Sequence, residues 1–360
     1  MSSETNRRLF ISNGIKLAAA SAAAPLLSSC STFDEYLFED SFYLKDQVVI
    51  AGGGISGLFL AQSLRRNKMG FKLFEGSARI GGRIQSSKQV DYGASIYRSD
   101  DELLKKLVKE LELASAPLDK SHLFLIAGMQ DLTDRLFEHL AGLIVYRSVR
   151  LRWKAIAIQK INEFHEVEFD TPRGRRTFVT KKLALAIPPS QWASIQGLGD
   201  LPEMKNAMTW AESLRRENTV KVILTSQQQY VTAAPIKNLM FFEDESLQVR
   251  QIVKKNKSST WIEIDFKSNT AGASIEIEKI NDFIKRKMKI TFNVNKMSSE
   301  NYFDWNRVRL IQGSAFTSPL VFPEIKSNSF QVVGDFASAL KPQSLEGALQ
   351  SALRAAEFLS

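Results

Sequence analysis

A glycine-rich turn between a buried strand and a helix constrains the fold of this chain more than any other feature. The apolar run 47–51 is typical of a buried parallel strand, and residues 52–57 directly after it fit the pattern GxGxxG. Residues 58–66 have helical spacing, and a second strand, 71–74, closes on Glu75. A lone GxGxxG is weak evidence, but the strand, the helix and the acid at this distance together predict a dinucleotide-binding βαβ unit.

Each glycine of the turn has a mechanical role in such a unit. Gly52 allows the tight turn, Gly54 lets the backbone approach a pyrophosphate, and Gly57 lets helix and strand pack closely. The N-terminus of the following helix offers free N–H groups and a positive dipole end to phosphates, and Ile55 and Ser56 of the turn lie just before it. These residues are therefore candidate cofactor contacts, with a glycine-rich turn of some other α/β unit as the alternative.

The acid at the end of the second strand supports the same interpretation. Glu75 lies where a carboxylate accepts hydrogen bonds from a ribose, and Gly76 follows it. A Walker loop is excluded because no Lys-Ser/Thr pair follows the glycines. The turn alone does not separate NAD from FAD.

Segments further along the chain resemble those of the flavin amine oxidase family. Residues 77–83, with the sequence SARIGGR, resemble its second FAD fingerprint, and residues 91–95 resemble its D-x-G-A segment. Residues 128–132 resemble its G-M-x-x-L helix start, and residues 182–188 resemble its strand ending in A-x-P. Gly334-Asp335, which precedes a C-terminal helix, resembles its Gly-Glu pair. These motifs occur in the family's order, and together they span most of the chain.

The resemblance implies that FAD is the cofactor and adds residues to the predicted site. A glycine doublet permits close backbone approach, and flanking arginines neutralise a pyrophosphate. The dipole of the C-terminal helix stabilises the negative charge on a reduced flavin. The cofactor contacts implied in this way are Arg79, Gly81, Gly82, Arg83, Gly93, Ala94, Ser95, Gly334, Asp335, Leu345 and Ala348. An NAD-binding enzyme is the weaker alternative.

The implied architecture is an α/β protein with two domains. One is a discontinuous, Rossmann-like FAD-binding domain built on a parallel sheet, and the other is a smaller mixed α+β substrate or cap domain. The FAD-binding domain is assigned to residues 47–99, 128–190 and 306–360, and the cap to residues 100–127 and 191–305. Helices are predicted over residues 203–215 and 274–288 of the cap.

The candidate catalytic residue is Lys221. Family members commonly place a lysine beside flavin N5 at the start of a substrate-domain strand, and the run 219–224 matches that pattern. The lysine would hold a water for proton transfer or oxygen activation; the alternative is a solvent-facing lysine on an alternating strand. The run 260–266 alternates as well, which predicts that Glu263 and Asp265 lie on the face opposite its apolar residues.

Departures from the family's pattern bear on covalent attachment and on the substrate. Ser314 stands where members with covalent flavin have a cysteine, so FAD is expected to be non-covalent. Ala315 and Ser344 replace the two aromatic walls that orient a substrate amine. This favours a different substrate or a weak enzyme. Possible pocket walls, for each of which core packing is the alternative, are Trp210, Tyr230, Phe241, Phe242 and Trp261.

Composition excludes several other classes of protein. The only cysteine is Cys30, so no intramolecular disulfide can form, and the three histidines do not have metal-ligand spacing. The formal charge of +9 is spread along the chain without interleaved aromatics, so no nucleic-acid partner is expected. The sequence contains no run of about 18 apolar residues, so no membrane-spanning helix is predicted.

The first 46 residues resemble an export signal and a tether. Residues 1–30 carry the pair Arg7-Arg8, a short apolar stretch and a lipobox-like segment ending at Cys30, features of a twin-arginine lipoprotein signal. Residues 31–46 would tether the fold. We therefore expect a bacterial protein that is exported and either periplasmic or membrane-tethered by a lipid anchor at Cys30. The alternative is an unstructured tail with a chance arginine pair.

Taken together, the motifs predict an exported FAD-dependent oxidoreductase. It would oxidise a C–N or C–C bond of a small organic substrate by hydride transfer to non-covalent FAD, with oxygen or a quinone as electron acceptor. The alternative is a flavin-binding protein with little or no turnover that has a structural or electron-relay role.

Overall fold

The predicted βαβ unit is present in the computed structural model. Strand β1 (Tyr43–Ala51) leads through the glycine turn into helix α1 (Ile55–Arg66), and β2 (Gly70–Glu75) follows. Strands β1 and β2 are parallel, with Val49 opposite Lys72. The helix begins three residues earlier than predicted, and β1 includes residues 43–46, which we had assigned to the tether.

The structure describes most of the chain after the predicted signal and tether. Residues 44–360 form one compact unit. The described ranges are 43–87, 90–141, 148–216, 219–225, 239–244, 247–255, 260–268, 302–304, 316–317 and 321–360, with single helical residues between 278 and 286. Residues 1–30, most of residues 31–46 and most of the predicted helix 274–288 lie outside them.

The central sheet combines a parallel half with an antiparallel half. Strand β8 (Val149–Leu151) pairs in parallel with β2, and β19 (Phe330–Val332) pairs in parallel with β11 (Gly174–Leu185). The strand order is β8-β2-β1-β11, and two antiparallel strands, β10 (Phe164–Thr171) and β9 (Lys154–Ile161), continue it. Because β19 comes from the far end of the chain, this domain is discontinuous, as predicted.

Five helices are described, and most of them pack on the parallel half of the sheet. Besides α1 they are α2 (Glu102–Glu110), α3 (Gln130–Ala141), α4 (Lys205–Glu212) and α5 (Leu345–Leu359). The predicted C-terminal helix is α5, which buries Ala352 and Ala355 and leaves Leu353 partly exposed. In place of the single helix predicted over 203–215, α4 follows a short 3₁₀ turn and ends before Arg215.

Helix α2 does not belong to the cap, to which residues 100–127 were assigned. Its apolar residues Leu104 and Leu107 enter the same hydrophobic core as α1 and α5. The helix is strongly amphipathic, so its apolar face requires a partner, and α5 supplies one. The structure therefore places this segment with the dinucleotide-binding domain.

A second, antiparallel sheet lies within the residues assigned to the cap. Its strands, in spatial order, are β14 (Leu239–Asp244), β15 (Leu247–Lys255), β16 (Thr260–Ser268), β13 (Thr219–Thr225) and β17 (Tyr302–Asp304). Strands β13 and β16 run antiparallel, with Lys221 directly opposite Asp265. This pairing brings two charged side chains together at one point of the sheet.

Short strands complete the fold. They are β3 (Ser86–Ser87), β4 (Val90–Asp91), β5 (Tyr97–Arg98), β6 (Ser115–Pro117), β7 (His122–Leu125), β12 (Arg215–Arg216) and β18 (Phe316–Thr317). Within the described ranges, no helix is both long enough and apolar enough to cross a membrane.

Candidate functional site

Two glycines of the turn are required by close backbone packing. A Cβ on Gly52 would lie 2.3 Å from the carbonyl oxygen of Ala186, and the backbone φ of Gly52 is +115°. A Cβ on Gly57 would lie 2.1 Å from the carbonyl oxygen of Gly52 itself. Only glycine fits at either position, so the first turn of α1 lies directly against the end of β1.

The N-terminus of α1 opens onto free space. A Cβ on Gly54, the residue that precedes the helix, would meet no heavy atom within 4 Å. Its backbone has an ordinary extended conformation, and the first helical turn contains no acidic residue. Within the described part of the chain, no side chain caps this end. The N–H groups at Ile55 and Ser56 therefore face a space suited to an anionic group.

The carboxylate of Glu75 is oriented by two backbone N–H groups. Oε2 accepts a 2.7 Å hydrogen bond from Gly53, and Oε1 accepts a 2.7 Å hydrogen bond from Ser77. Each oxygen retains a further lone pair, so the carboxylate can still accept hydroxyl groups such as those of a ribose. Gly76, next to it in the sequence, lines one cavity together with Glu75.

The second glycine segment lies beside the first. The N–H of Gly81 donates to the carbonyl of Gly53 over 2.8 Å, and a Cβ on Gly82 would lie 3.4 Å from the Cα of Gly54. Gly81 and Gly82 have φ values of +101° and +57°, a region that favours glycine. The two segments therefore form one continuous backbone surface in front of α1.

The two arginines of this segment have different partners. Arg79 donates to backbone carbonyls of its own loop, at 3.1 Å to Ile80 and 2.9 Å to Ile84, and burial lowers the pKa of its guanidinium. It therefore shapes the loop, and it also lines the cavity. Arg83 instead forms a salt bridge with Asp335, and the two residues join the glycine segment to the turn after β19.

The N-terminus of α5 reaches the same cavity. Ser344 caps the helix, because its Oγ accepts a 3.0 Å hydrogen bond from the N–H of Gly347. A Cβ on Gly347 would lie 2.0 Å from the carbonyl oxygen of Lys341, so the chain can fold back only with glycine at this position. Leu345 and Ala348 face the cavity from this helix.

Lys221 is buried and points into the cavity, which makes the solvent-facing alternative wrong. It is 2% exposed, and its Nζ donates to the carbonyl of Gly93 over 3.0 Å. Glu263 and Asp265 share one face of β16, as predicted, but that face is buried. Their carboxylate oxygens lie 3.4 Å and 3.2 Å from Nζ of Lys221.

One cavity of about 580 Å³ unites these features, a volume in the range of small-molecule sites. Its lining includes Glu75 and Gly76, the two glycine turns, and Gly93 together with Lys221. Predicted residues that line it are Gly52, Gly54, Ile55, Ser56, Glu75, Gly76, Arg79, Gly81, Gly82, Arg83, Gly93, Ala94, Lys221, Gly334, Asp335, Leu345 and Ala348. Gly57 and Ser95 do not line it, since Gly57 packs against the strand and Ser95 is buried behind the wall.

Sequence reasoning missed several cavity residues. Tyr92 and Gln343 adjoin predicted motifs, so their position along the chain was a usable signal. Trp153 also lines the cavity, although no motif marks it. Its backbone N–H donates to the backbone carbonyl of Glu75 over 2.8 Å. Asp265 was assigned only to a polar face, because cross-strand pairing with Lys221 is not visible in a single sequence.

Trp210, a suggested pocket wall, is instead a core residue. It packs against Trp192, Phe322 and Phe336, with ring centroids 5.0 to 6.3 Å apart. Only Phe336 of this group also lines the cavity. The remaining suggestions lie outside what the structure describes, either as whole residues (Tyr230, Ser314, Ala315 and Cys30) or as side chains (Phe241, Phe242 and Trp261).

Among the described residues, no group of three or more His, Cys, Asp or Glu side chains is placed to hold a metal. Helix N-termini, close-packed glycines and an oriented carboxylate at the carboxyl ends of parallel strands define a dinucleotide-binding α/β protein.

Comparison with known proteins leads to the same class. The chain matches the NAD(P)-binding Rossmann-like domain family over residues 50–111. It is 26% identical over 202 residues to human amine oxidase [flavin-containing] B, a match that covers 52% of this chain and 34% of that protein. The matched region thus spans about a third of the length of that relative.

Solved structures extend the likeness to nearly the whole fold. A putrescine oxidase bound to putrescine superposes with a TM-score of 0.67 at 14% identity, covering 88% of this chain and 99% of that one. Cyclohexylamine oxidase from Brevibacterium oxydans IH-35A superposes with a TM-score of 0.67 at 14% identity, covering 87% and 98%. These comparisons confirm the predicted α/β fold class and the resemblance to flavin amine oxidases.

Proposed function

We propose that this chain is an FAD-dependent oxidoreductase of the flavin amine oxidase type. It would oxidise a C–N or C–C bond of a small organic substrate by hydride transfer to non-covalent FAD. The observation that carries this proposal is that one cavity is lined by the oriented carboxylate of Glu75, the open N-terminus of α1 and the buried Lys221. A dinucleotide with a reactive ring at one end has the corresponding sequence of chemical groups.

The residues of the cavity fit the parts of FAD in order. Glu75 would accept hydrogen bonds from the adenosine ribose, and the N–H groups at Ile55 and Ser56 would hold the pyrophosphate. The end near Gly93 and Lys221 is left for the isoalloxazine ring. Bound there, the flavin supplies a hydride acceptor, while the protein orients the substrate and excludes water.

The absorption spectrum of the purified chain tests cofactor binding directly. We expect a yellow flavin spectrum that passes into the supernatant on acid precipitation, because no covalent bond would retain it. Colour that stays in the pellet would show covalent attachment and contradict our inference from Ser314. A folded, colourless protein that also fails to bind added FAD would refute the proposal.

Turnover is a separate question, and a flavin-binding protein with little or no turnover is the second candidate. Ser344 lines the cavity at the position where family members have one of the two aromatic walls that orient a substrate amine. The absence of an aromatic side chain at Ser344 favours this second candidate. An anaerobic screen of amines and alkenes would decide: bleaching of the flavin by a substrate supports an enzyme. Reoxidation by oxygen or by a quinone would then identify the electron acceptor. A broad screen without bleaching favours the second candidate.

We further propose that the protein is exported and membrane-tethered in a bacterium. The support is the twin-arginine-like segment at Arg7-Arg8 and the lipobox-like segment at Cys30. Mass spectrometry of the native N-terminus should find a lipid on Cys30, and Cys30→Ser should move the protein from the membrane to the soluble fraction. An intact Met1 in the mature protein would contradict export.

A further inference from the structure

The ammonium of Lys221 is surrounded by three oxygens. The carbonyl of Gly93 accepts a 3.0 Å hydrogen bond from Nζ, and the carboxylates of Asp265 and Glu263 lie 3.2 Å and 3.4 Å away. Nζ donates hydrogen bonds to Gly93 and Glu263, and Asp265 lies within ion-pair distance, so the ammonium is bonded by the carbonyl and paired with both carboxylates. The protein therefore fixes the position of the lysine ammonium.

The acids are as deeply buried as the lysine. Glu263 is 0% exposed, and its second oxygen accepts a 3.1 Å hydrogen bond from the N–H of Asp91, in the segment that leads to Gly93. Asp265 lines the cavity together with Lys221. Buried charges are costly unless they are paired, so each member of this cluster depends on the others.

The cluster of Lys221, Glu263 and Asp265 lies where the cap sheet contacts the dinucleotide-binding domain. Lys221 lies on β13 opposite Asp265 of β16, and Glu263 lies two residues away on the same face. Through Glu263 and Lys221, the cap sheet is bonded to Asp91 and Gly93 of the dinucleotide-binding domain. The cluster therefore sits where the cap meets the end of the cavity proposed for the isoalloxazine ring.

We propose that Glu263 and Asp265 are positioning residues that hold Lys221 against Gly93 and, with it, set the reduction potential of the bound flavin. This rests on the proposed function. A reduced flavin carries more negative charge than an oxidised one, so a nearby carboxylate disfavours reduction and a nearby ammonium favours it. In a buried site these charges are weakly screened, and their effect reaches the ring.

Single-charge variants test the proposal through the midpoint potential of the flavin-loaded, full-length chain, measured by spectroelectrochemistry. Asp265→Asn and Glu263→Gln each remove one negative charge with little change in shape, and we expect both to raise the potential. Lys221→Met removes the positive charge and should lower it. The double variant Lys221→Met with Asp265→Asn restores the original net charge, so its potential should return toward that of the wild type.

The expected change is at least tenfold in the equilibrium constant for reduction, which for a two-electron couple is about 30 mV. Glu110→Gln is the matched control, because it removes a carboxylate on α2 that pairs with Arg66 outside the cavity. Its potential should equal that of the wild type.

The outcomes distinguish a failure of the charge proposal from a failure of the proposed function. If flavin binds but Asp265→Asn and Lys221→Met shift the potential in the same direction, or do not shift it, the charge proposal is overturned and the proposed function remains. If Glu263→Gln does not fold, Asp265→Asn still decides, because its side chain lies at the cavity surface. A wild-type chain that takes up no flavin would overturn the proposed function itself.

Discussion

The backbone N–H of Gly53 donates a 2.7 Å hydrogen bond to Oε2 of Glu75. This bond joins the glycine turn after β1 to the acid that ends β2. Since β1 and β2 are neighbouring parallel strands, their carboxyl ends meet at one edge of the sheet. The carboxylate proposed to bind the ribose is therefore oriented before any cofactor arrives.

Replacing this carboxylate should weaken cofactor binding more than it weakens the fold. In Glu75→Gln one of the two accepted backbone hydrogen bonds is lost, because an amide NH₂ cannot accept from an N–H. Hydrogen bonds to charged groups contribute about 1.5–3 kcal/mol, so the affinity for FAD should fall roughly 10- to 100-fold. Titration of the variant with FAD, followed by flavin fluorescence, measures this. Glu357→Gln, on the exposed side of α5, is the control and should bind as the wild type does.

Two glycines of the same turn should respond differently to alanine. In Gly57→Ala the new Cβ would lie 2.1 Å from the carbonyl oxygen of Gly52, so the free energy of unfolding should fall by about 2 kcal/mol or more. In Gly54→Ala the Cβ meets nothing within 4 Å, so the fold should lose at most about 1 kcal/mol. That Cβ would instead enter the space proposed for the pyrophosphate, and FAD affinity should fall at least about tenfold. Urea denaturation and FAD titration of both variants would test this contrast, and unchanged FAD affinity in Gly54→Ala would count against the phosphate site.

His165 should make the stability of the fold depend on pH. It is fully buried in β10, and burial lowers the pKa of its imidazole to about 4 from 6.5, with the nearby charge of Lys160 acting in the same direction. Between these values the unfolded chain binds a proton that the folded chain does not, so stability is lost as the pH falls from about 6.5 toward 4. Between pH 7 and pH 5 this group should cost about 2 kcal/mol.

The matching variant for that test is His165→Leu, which keeps an apolar side chain against Phe330 but cannot titrate. Urea denaturation at pH 7 and pH 5 should show a smaller loss of stability in the variant than in the wild type. An equal loss in both proteins would show that His165 is not responsible.

Glu346 should contribute to stability rather than to cofactor binding. Its carboxylate is buried and accepts hydrogen bonds of 3.2 Å and 2.9 Å from the N–H groups of Leu103 and Leu104, in the first turn of α2. It thereby caps one helix from the first turn of another. Glu346→Ala should lower the free energy of unfolding by about 1–3 kcal/mol, measured by urea denaturation. If instead the variant kept its stability and lost only FAD affinity, a role at the cavity would replace this interpretation.

Local patterns predicted the glycine turn and the C-terminal helix well. The segments around Gly52 and Gly81 and the helix from Leu345 to Leu359 depend on neighbours close in sequence, so their roles were visible as motifs. Packing between distant segments was not visible. Helix α2 was assigned to the cap, although its apolar face packs against α5, more than two hundred residues away.

The same distinction applies to the charged side chains. Arg79 was expected at a phosphate because of its place in a motif, but the loop folds so that its guanidinium meets carbonyl groups of residues 80, 82 and 84. Arg83 was expected there as well, and its partner Asp335 lies in the turn after β19, which comes from the far end of the chain. Hydrogen-bond partners of this kind depend on the path of the backbone, which a single motif does not specify.

By itself, the sequence determined the class of fold and one half of the cavity. Strand-turn-helix signals, obligatory glycines and a well-spaced acid are local consequences of steric and hydrogen-bonding requirements, and they lie in consecutive residues around Gly52 and Glu75. Only the tertiary structure decided the other half, where Lys221 meets Asp265 and Glu263 and bonds to Gly93. That meeting requires antiparallel pairing of β13 with β16 and the docking of their sheet on residues 91–93, and long-range pairing of this kind leaves no local pattern in a sequence.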